Sequence, residues 1–370
     1  MEYKKLGDIA TYINGYAFKP EQRGSEGLPI IRIQDLTGNS YDLGYYNGDY
    51  PKKIELNDGD VLISWSASLG VYLWNRGKAL LNQHIFKVVF DKVEIDKFYY
   101  MYAVEYNLDK MSLKTHGATM KHITKKDFDN VVIPYPDLEY QKEISYRLTS
   151  LKGIIEKYQE QLDLLDELIK ARFVEMFGEI STGNYKYNTK KLGDVAKVGS
   201  SHRVFTTEFV KNGIPFYRGT EIGELANGQI PEEPFCISEE HYERLVSDDT
   251  KPQVGDLLMP SICNKGQVWM VDSEEPFYYK DGRVLCISPN KEVFNSRFLQ
   301  YFMREKTLVE YPKIGSGSTF AEFKIFLLKD MDVLVPPLEL QNQFASFVKE
   351  IDKSRLLSNH SLFLLKSITF

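Results

Sequence analysis

The most regular pattern of apolar and polar positions lies in the middle of the chain. After "PDLEYQKE", apolar residues fall at Ile144, Leu148, Leu151, Ile155, Tyr158, Leu162, Leu165 and Ile169, with spacings that alternate between four and three. That is a heptad seam, with Leu148, Ile155, Leu162 and Ile169 at a-type positions and Ile144, Leu151, Tyr158 and Leu165 at d-type positions. Glu139 and Glu143 suit the positive end of a helix dipole, and Gly178 is a natural stop. About 38 helical residues would span roughly 57 Å. A seam this narrow predicts a partner helix. The second apolar run supplies one: Phe344, Val348, Ile351, Leu362 and Leu365 repeat the register 200 residues later. Arg355 and Ser358 interrupt it, so the second helix is expected to be the weaker half.

Elsewhere the pattern changes. "GDVLIS" and "HIFKVVF" are short, apolar and rich in β-branched residues, and "LTGNS", "GYYNGDY" and "NDGD" are turn chemistry. "DKFYYMYAVEYNL" and "NSRFLQYFMREKTLV" predict a pair of matching helices. The chain also repeats itself. "KKLGDIA" at 4–10 returns as "KKLGDVA" at 190–196, and "GLPIIRIQDL" at 27–36 as "GIPFYRGTEI" at 213–222. "NDGDVLISWSASLG" at 57–70 answers to "QVGDLLMPSICNKG" at 253–266, and "GATMKHITKKDFDNVVIPYPDLEYQ" at 117–141 to "GSTFAEFKIFLLKDMDVLVPPLELQ" at 317–341. The offset grows from 186 (4 to 190) to 200 (117 to 317), so insertions fall in the loops between blocks. A period this long indicates a duplicated domain with its helical tail.

The expected organisation is therefore a globular domain at 1–137, a long helix at 138–183, a second globular domain at 184–336 and a distal helix at 337–370. The expected fold class is mixed α/β (α+β), with the long helices pairing as an antiparallel coiled coil. Antiparallel pairing relates two like domains by a two-fold axis. The DNA backbone has that pseudo-symmetry, so each domain can meet a half-site in the same way.

These features resemble the specificity (S) subunit of a type I restriction-modification system. The order domain–helix–domain–helix, the opening "KKLGDIA", the helix junctions "PYPDLEYQKEI" and "VPPLELQNQF", and the segments "VGDLLMPS" and "GATMKHI" carry the resemblance, which covers essentially the whole chain. It implies that the globular units are target recognition domains, each reading one half of a bipartite sequence in double-stranded DNA. It also implies that the helices set the distance between the halves and dock two methylation (M) subunits, with restriction (R) subunits joining the full complex.

Composition narrows the chemistry. Hydrophobic residues make up 43% of the 370, enough for substantial cores, and the formal net charge is −6. Residues 1–137 carry 17 basic and 18 acidic groups, and residues 184–336 carry 19 and 22. Neither domain has the excess of cations that neutralises phosphates, so tight DNA binding by the lone chain is not expected. The three cysteines, Cys236, Cys263 and Cys286, have no metal-ligand spacing and read as buried reduced thiols. No signal peptide and no apolar run long enough for a membrane span is read, so the expected location is the cytoplasm.

The chain also reads as non-catalytic. "VPPL" at 335–338 superficially resembles the proline pair of adenine methyltransferases, but it lacks the preceding Asn or Asp and the following aromatic that hold a flipped base. No glycine-rich strand-to-helix loop suggests S-adenosylmethionine, and no cofactor or metal is expected. Two alternatives stay open: an adenine methyltransferase fused to recognition domains, and a coiled-coil scaffold that binds only proteins.

The nucleic-acid signal is local. Between Lys110 and Lys126 lie five lysines, two histidines and no acid. Lys114, His116, Lys121 and His122 are candidates to approach phosphates, around the small residues Gly117 and Thr119, which allow backbone amides to come close. The matching Gly/Ser/Thr loop of the second copy offers Ser316, Ser318 and Thr319. Base readout needs polar side chains at groove edges. Arg32, Gln34 and Asp35 are candidates in the first domain, and Arg218, Thr220 and Glu221 hold the matching places. The loops after the "VLIS" and "LLMP" strands add Ser64, Trp65 and Ser66, and Ser261, Asn264 and Lys265, with Trp65 weighed toward the core.

Overall fold

The computed structural model describes residues 2–39, 42–114, 124–246, 250–314 and 321–369, with side chains except at 109–114, 360 and 366–369. The chain forms two compact units, one of residues 1–159 with 360–370 and one of residues 160–359.

In the first unit, strand Val61–Ser64 lies inside a four-stranded antiparallel sheet ordered Thr11–Asn14, Ile85–Val89, Val61–Ser64, Gly70–Leu73. Every residue of Val61–Ser64 is buried because both of its faces are covered. Val61 and Ile63 point to a core shared with Tyr100, Val104 and Leu108 of helix Lys97–Lys114. Leu62 points the other way, into a core with Ile30, Ile31, Leu80 and Leu81. That second core belongs to a sheet ordered Tyr45–Tyr46, Leu28–Ile31, Ala79–Leu81, Glu55–Leu56. Its central pair runs parallel, with Ile30 opposite Leu80 and Ile31 opposite Leu81.

The second unit repeats the plan. Its first sheet is ordered Ala196–Gly199, Val284–Pro289, Leu257–Pro260, Trp269–Met270, and its second Phe209–Val210, Phe235–Ile237, Ile214–Tyr217, Tyr278–Tyr279. The parallel pair recurs, with Phe216 opposite Tyr278. Strand Leu257–Pro260 splits its side chains as its counterpart does: Leu257 and Met259 join one core and Leu258 another. Helix Ser296–Ile314 takes the place of helix Lys97–Lys114.

The central helix runs Leu138–Phe177 and the distal helix Leu338–Thr369. The central helix stops at Gly178, whose φ is +94° and where a Cβ would lie 2.2 Å from the Asn184 carbonyl oxygen, so only glycine fits the turn. Residues 178–179 then pair with 184–185 as a small hairpin. Each long helix is fastened to its domain by a buried glutamine. Gln141 accepts from the Asp96 N–H at 2.9 Å and donates to the Pro136 carbonyl at 2.8 Å. Gln341 accepts from the Asn295 N–H at 3.0 Å and donates to the Val293 and Pro336 carbonyls. These bonds give the two junction motifs a physical purpose. Each glutamine ties the start of a long helix to the first turn of its own domain's helix and satisfies that turn's free N–H.

The expected seam positions Ile144, Leu148, Leu151, Ile155, Tyr158, Leu162 and Leu165 are half-buried and Ile169 is buried. Phe173 and Phe177 extend this stripe past the last heptad position that the apolar spacing marks. Both are buried, packing on Phe344 with ring centroids 5.4 and 5.7 Å away. Asp166 pairs with Arg355. Going from Phe177 to Asp166 descends 11 positions on the central helix, and going from Phe344 to Arg355 ascends 11 on the distal one. The helices therefore run antiparallel.

The expectation that Arg355 and Ser358 break the second seam is corrected. Buried or half-buried positions continue through Phe344, Val348, Ile351, Arg355, Ser358, Leu362 and Leu365 without a missed step. Ser358 is small enough to be enclosed, and Arg355 lays its stem in the seam while its guanidinium reaches Asp166 and Asp352. No helix among the described residues is long and apolar enough to cross a membrane.

Candidate nucleic-acid interface

In both domains the first central strand of the parallel pair ends in an arginine that begins a short helix. Arg32 caps helix Ile33–Leu36, and Arg218 caps helix Gly219–Ala226. The backbone N–H of Arg32 donates to the Asp35 carboxylate at 2.8 Å, and its Nε donates to the same carboxylate at 3.1 Å. Arg218 does the same with Glu221, at 2.8 Å from the backbone and 3.2 Å from Nε. Asp35 and Glu221 are buried, so they anchor the turn and hold the arginines. Arg218 also lies over the Phe235 ring at 4.6 Å, and Arg76 donates to the Asp35 carbonyl at 3.0 Å. Gln34 and Thr220 are the exposed neighbours of these anchored pairs. Burial pushes the Glu221 carboxyl up, but hydrogen bonds from the Arg218 side chain and from backbone N–H groups outweigh it and leave Glu221 below the usual carboxylate range.

At the ends of the interior ladder strands of the two first sheets, Val61–Ser64 and Leu257–Pro260, the serines are enclosed rather than outward-facing. Ser64, Ser66 and Ser261 are buried, and the Ser64 hydroxyl donates to the Ser68 carbonyl within its own loop. Trp65 stacks on Phe86 at 5.6 Å and meets His84 edge-on at 4.9 Å, a half-buried position that belongs to the core side of the loop. Asn264 and Lys265 are exposed. Lys114 closes helix Lys97–Lys114, with its side chain outside the described residues. His116, Gly117, Thr119, Lys121, His122, Ser316, Ser318 and Thr319 also lie outside the described residues.

A turn to which no sequence motif points brings the candidate loops together. It joins the second strand of the parallel pair to the ladder. In the first domain it is Asn82–His84. The Asn82 N–H donates to the Ile31 carbonyl beside Arg32 at 3.0 Å, the Gln83 N–H to the Tyr16 carbonyl at 3.0 Å, and the His84 carbonyl accepts from the Trp65 N–H at 3.3 Å. In the second domain it is Lys280–Arg283. The Lys280 N–H donates to the Tyr217 carbonyl beside Arg218 at 2.9 Å, and the Arg283 carbonyl accepts from the Ser261 N–H at 2.8 Å. The Phe323 N–H donates to the Ser261 carbonyl at 2.7 Å, which ties in the chain just past the second Gly/Ser/Thr loop. Periodicity gives no sign of either turn. The one local signal is Asp281-Gly282 in the second, a turn dipeptide.

Two non-glycine residues of this region of the first domain hold positive φ, Ala67 at +58° and His84 at +72°. Such a conformation costs an ordinary residue about 1–2 kcal/mol, and strain of this kind gathers at functional loops. Burial pushes the Cys263 thiol up to about 11 and the Cys286 thiol up to about 12, so neither is a ready nucleophile at neutral pH. Among the described residues, no three His, Cys, Asp or Glu side chains are grouped to hold a metal ion.

Comparison with known proteins is consistent in direction. Residues 1–165 and 184–362 each match the family described as type I restriction modification DNA specificity domain. The chain is 25% identical to the type I restriction enzyme MjaVIII specificity subunit of Methanocaldococcus jannaschii, over 95% of this chain and 86% of that one. It is 26% identical to the type I restriction enzyme EcoBI specificity subunit of Escherichia coli, over 50% of this chain and 41% of that one. The crystal structure of a type I restriction-modification system S subunit from M. genitalium covers 100% of this chain with 93% of its own, at a TM-score of 0.58 and 14% identity, a likeness of fold.

Proposed function

This chain belongs to the type I restriction-modification DNA specificity family, and from that premise we propose how its parts divide the work. It is the DNA sequence-specificity subunit of a type I restriction-modification enzyme and recognises its target without performing the chemistry. Residues 1–137 and 184–336 are target recognition domains, each reading one half of a bipartite sequence in double-stranded DNA. The central helix region, 138–183, and the distal region, 337–370, set the gap between the halves and dock two methylation subunits. Restriction subunits join the full complex, and the assembly works in the cytoplasm.

The observation that carries this reading is the repetition of one architecture down to its loop junction. Both domains use the same order in their first sheet, a parallel strand pair in their second, the same anchored arginine and a turn at the same junction between candidate loops. Duplicated reading heads of this kind suit a target with two half-sites. Gln34, Arg218, Thr220, Asn264 and Lys265 are the exposed candidates for contact with DNA, and Arg32 is half-buried beside them. The buried Asp35, Glu221, Ser64, Ser66 and Ser261 support these loops from beneath.

The test is to co-express the chain with its methylation subunit and map methylated adenines across the host genome. The expected result is a motif of two short specific halves around a gap of fixed length. A continuous motif would contradict the division of labour, and so would the absence of any motif.

A further inference from the structure

We propose that the joining turn is itself a base-reading element, with Gln83 in the first domain and Arg283 in the second as the side chains that meet base edges. The inference rests on the reading that each globular domain recognises one half-site.

Three observations carry it. The first is position. The turn's backbone is hydrogen-bonded to the residue before Arg32, to Tyr16 and to Trp65, and its counterpart is bonded to Tyr217, to Ser261 and, through the Gly282 N–H, to the Ser200 hydroxyl at 2.8 Å. A nucleic acid lying across the anchored arginine and the ladder loop of either domain therefore lies against this turn.

The second is rigidity. Gly15 passes so close that a Cβ there would stand 1.9 Å from the Asn82 carbonyl oxygen, so the first turn is wedged against the chain before it. His84 holds φ +72° at the last position of the first turn, and the second turn has its positive φ one residue earlier, at Gly282, +62°. At His84 the strained conformation carries a ring packed on Trp65. Asn82 is buried, and its side-chain oxygen finds no hydrogen-bond partner among the described residues, nor does Nδ1 of His84. Side chains next to such a fixed backbone are pre-oriented, which is what sequence readout requires.

The third is chemistry. Gln83 and Arg283 are exposed. A glutamine amide offers a donor and an acceptor matched to the N6 and N7 edge of adenine, and a guanidinium offers two donors matched to guanine O6 and N7. Arg283 is paired with the Glu322 carboxylate, which orients its planar fork. The two domains thus present different donor sets from the same turn, Gln83 one residue before the position that Arg283 holds, as two unlike half-sites need.

The experiment uses the chain assembled with its methylation subunit, and reads methylated adenines across a genome for Gln83→Ala and Arg283→Ala separately. Gln83→Ala is expected to relax one base position in one half-site, with about 10- to 100-fold loss of discrimination there, and to leave the other half and the gap unchanged. Arg283→Ala is expected to do the same in the opposite half. An unchanged motif at full methylation overturns the inference. So does uniform weakening at every sequence with a shallower salt dependence, which marks a phosphate contact. If Gln83→Ala yields no methylation, Gln83→Glu is read in its place: an altered base preference at one position supports the inference, and an unaltered motif or an inactive assembly overturns it. Exchanging residues 1–137 for those of a relative separates the two levels. If that exchange switches one half-site while Gln83→Ala changes nothing, only this inference falls. If the exchange changes neither half, the underlying reading falls as well.

Discussion

The residues of greatest consequence near the candidate interface are two buried acids. Asp35 and Glu221 stand three positions after an arginine, accept its backbone N–H and hold its guanidinium. Glu221→Gln keeps the shape and removes the charge. It should cost about 1.5–3 kcal/mol at neutral pH, the range for a hydrogen bond to a charged partner. The pH dependence comes from the lowered folded-state value of Glu221. A carboxyl that binds its proton less readily when folded adds stability above its unfolded value of about 4.3, and that stability is lost as the pH falls through the lower folded value. Urea denaturation at pH 7 should separate Glu221→Gln from the parent, and the gap should narrow at about pH 3.5. A gap of equal size at both pH values would mean that packing, not the carboxylate charge, is what the substitution disturbs.

At the scale of elements, the helix pair tolerates polar residues that the apolar pattern marks as faults. Arg355 occupies a seam position, and its side chain is only 25% exposed, with Asp166 and Asp352 as partners. Asp166 is itself 68% exposed, so this ion pair is of the surface kind, worth about 0–1 kcal/mol. Most of what Arg355 contributes is then its aliphatic stem. Arg355→Leu should leave stability within about 1 kcal/mol of the parent or raise it, because a fully apolar side chain takes over the packing. The check is the denaturation midpoint of the intact chain. A loss above about 2 kcal/mol would show that the ion pair holds the helices together.

For the whole molecule, the proposal that the helices act as a ruler makes a geometric prediction. A seven-residue insertion between Leu162 and Ile169 preserves the face of the seam and lengthens the central helix by roughly 10 Å. DNA rises about 3.4 Å per base pair, so full transmission adds about three base pairs to the non-specific gap. Both half-site sequences should stay the same, since neither recognition domain is touched. Four inserted residues rotate the downstream part of the helix relative to the seam and should damage assembly more than seven do. Methylation mapping of the two insertion variants reads gap and half-sites together. A gap unchanged by seven residues, or an altered half-site, would remove the helices from that role.

Much of this was legible from local pattern. The duplication, the two long helices and the register of Ile144 through Ile169 come from repeats and from the 3.5-residue period. The all-buried strand Val61–Ser64 was visible as an unbroken apolar run. These are properties of neighbouring residues, and a sequence records neighbours directly. The direction of the helix pair rests on contacts between Phe177 and Phe344 and between Asp166 and Arg355, residues far apart in the chain. The interface depended still more on tertiary structure. Gln34, Ser64 and Ser66 look alike as uncharged polar residues just after or at the end of apolar runs, yet the serines are buried and Gln34 is exposed. Nothing in the local pattern separates them, because burial depends on which strands cover the loop from the other side. The turn Asn82–His84 gains its place only when Leu28–Ile31 pairs in parallel with Ala79–Leu81, a contact across about fifty residues that no periodicity encodes. The sequence by itself determined the repeated units and the helices between them. Long-range strand pairing decided which side chains of each unit stand together at its edge.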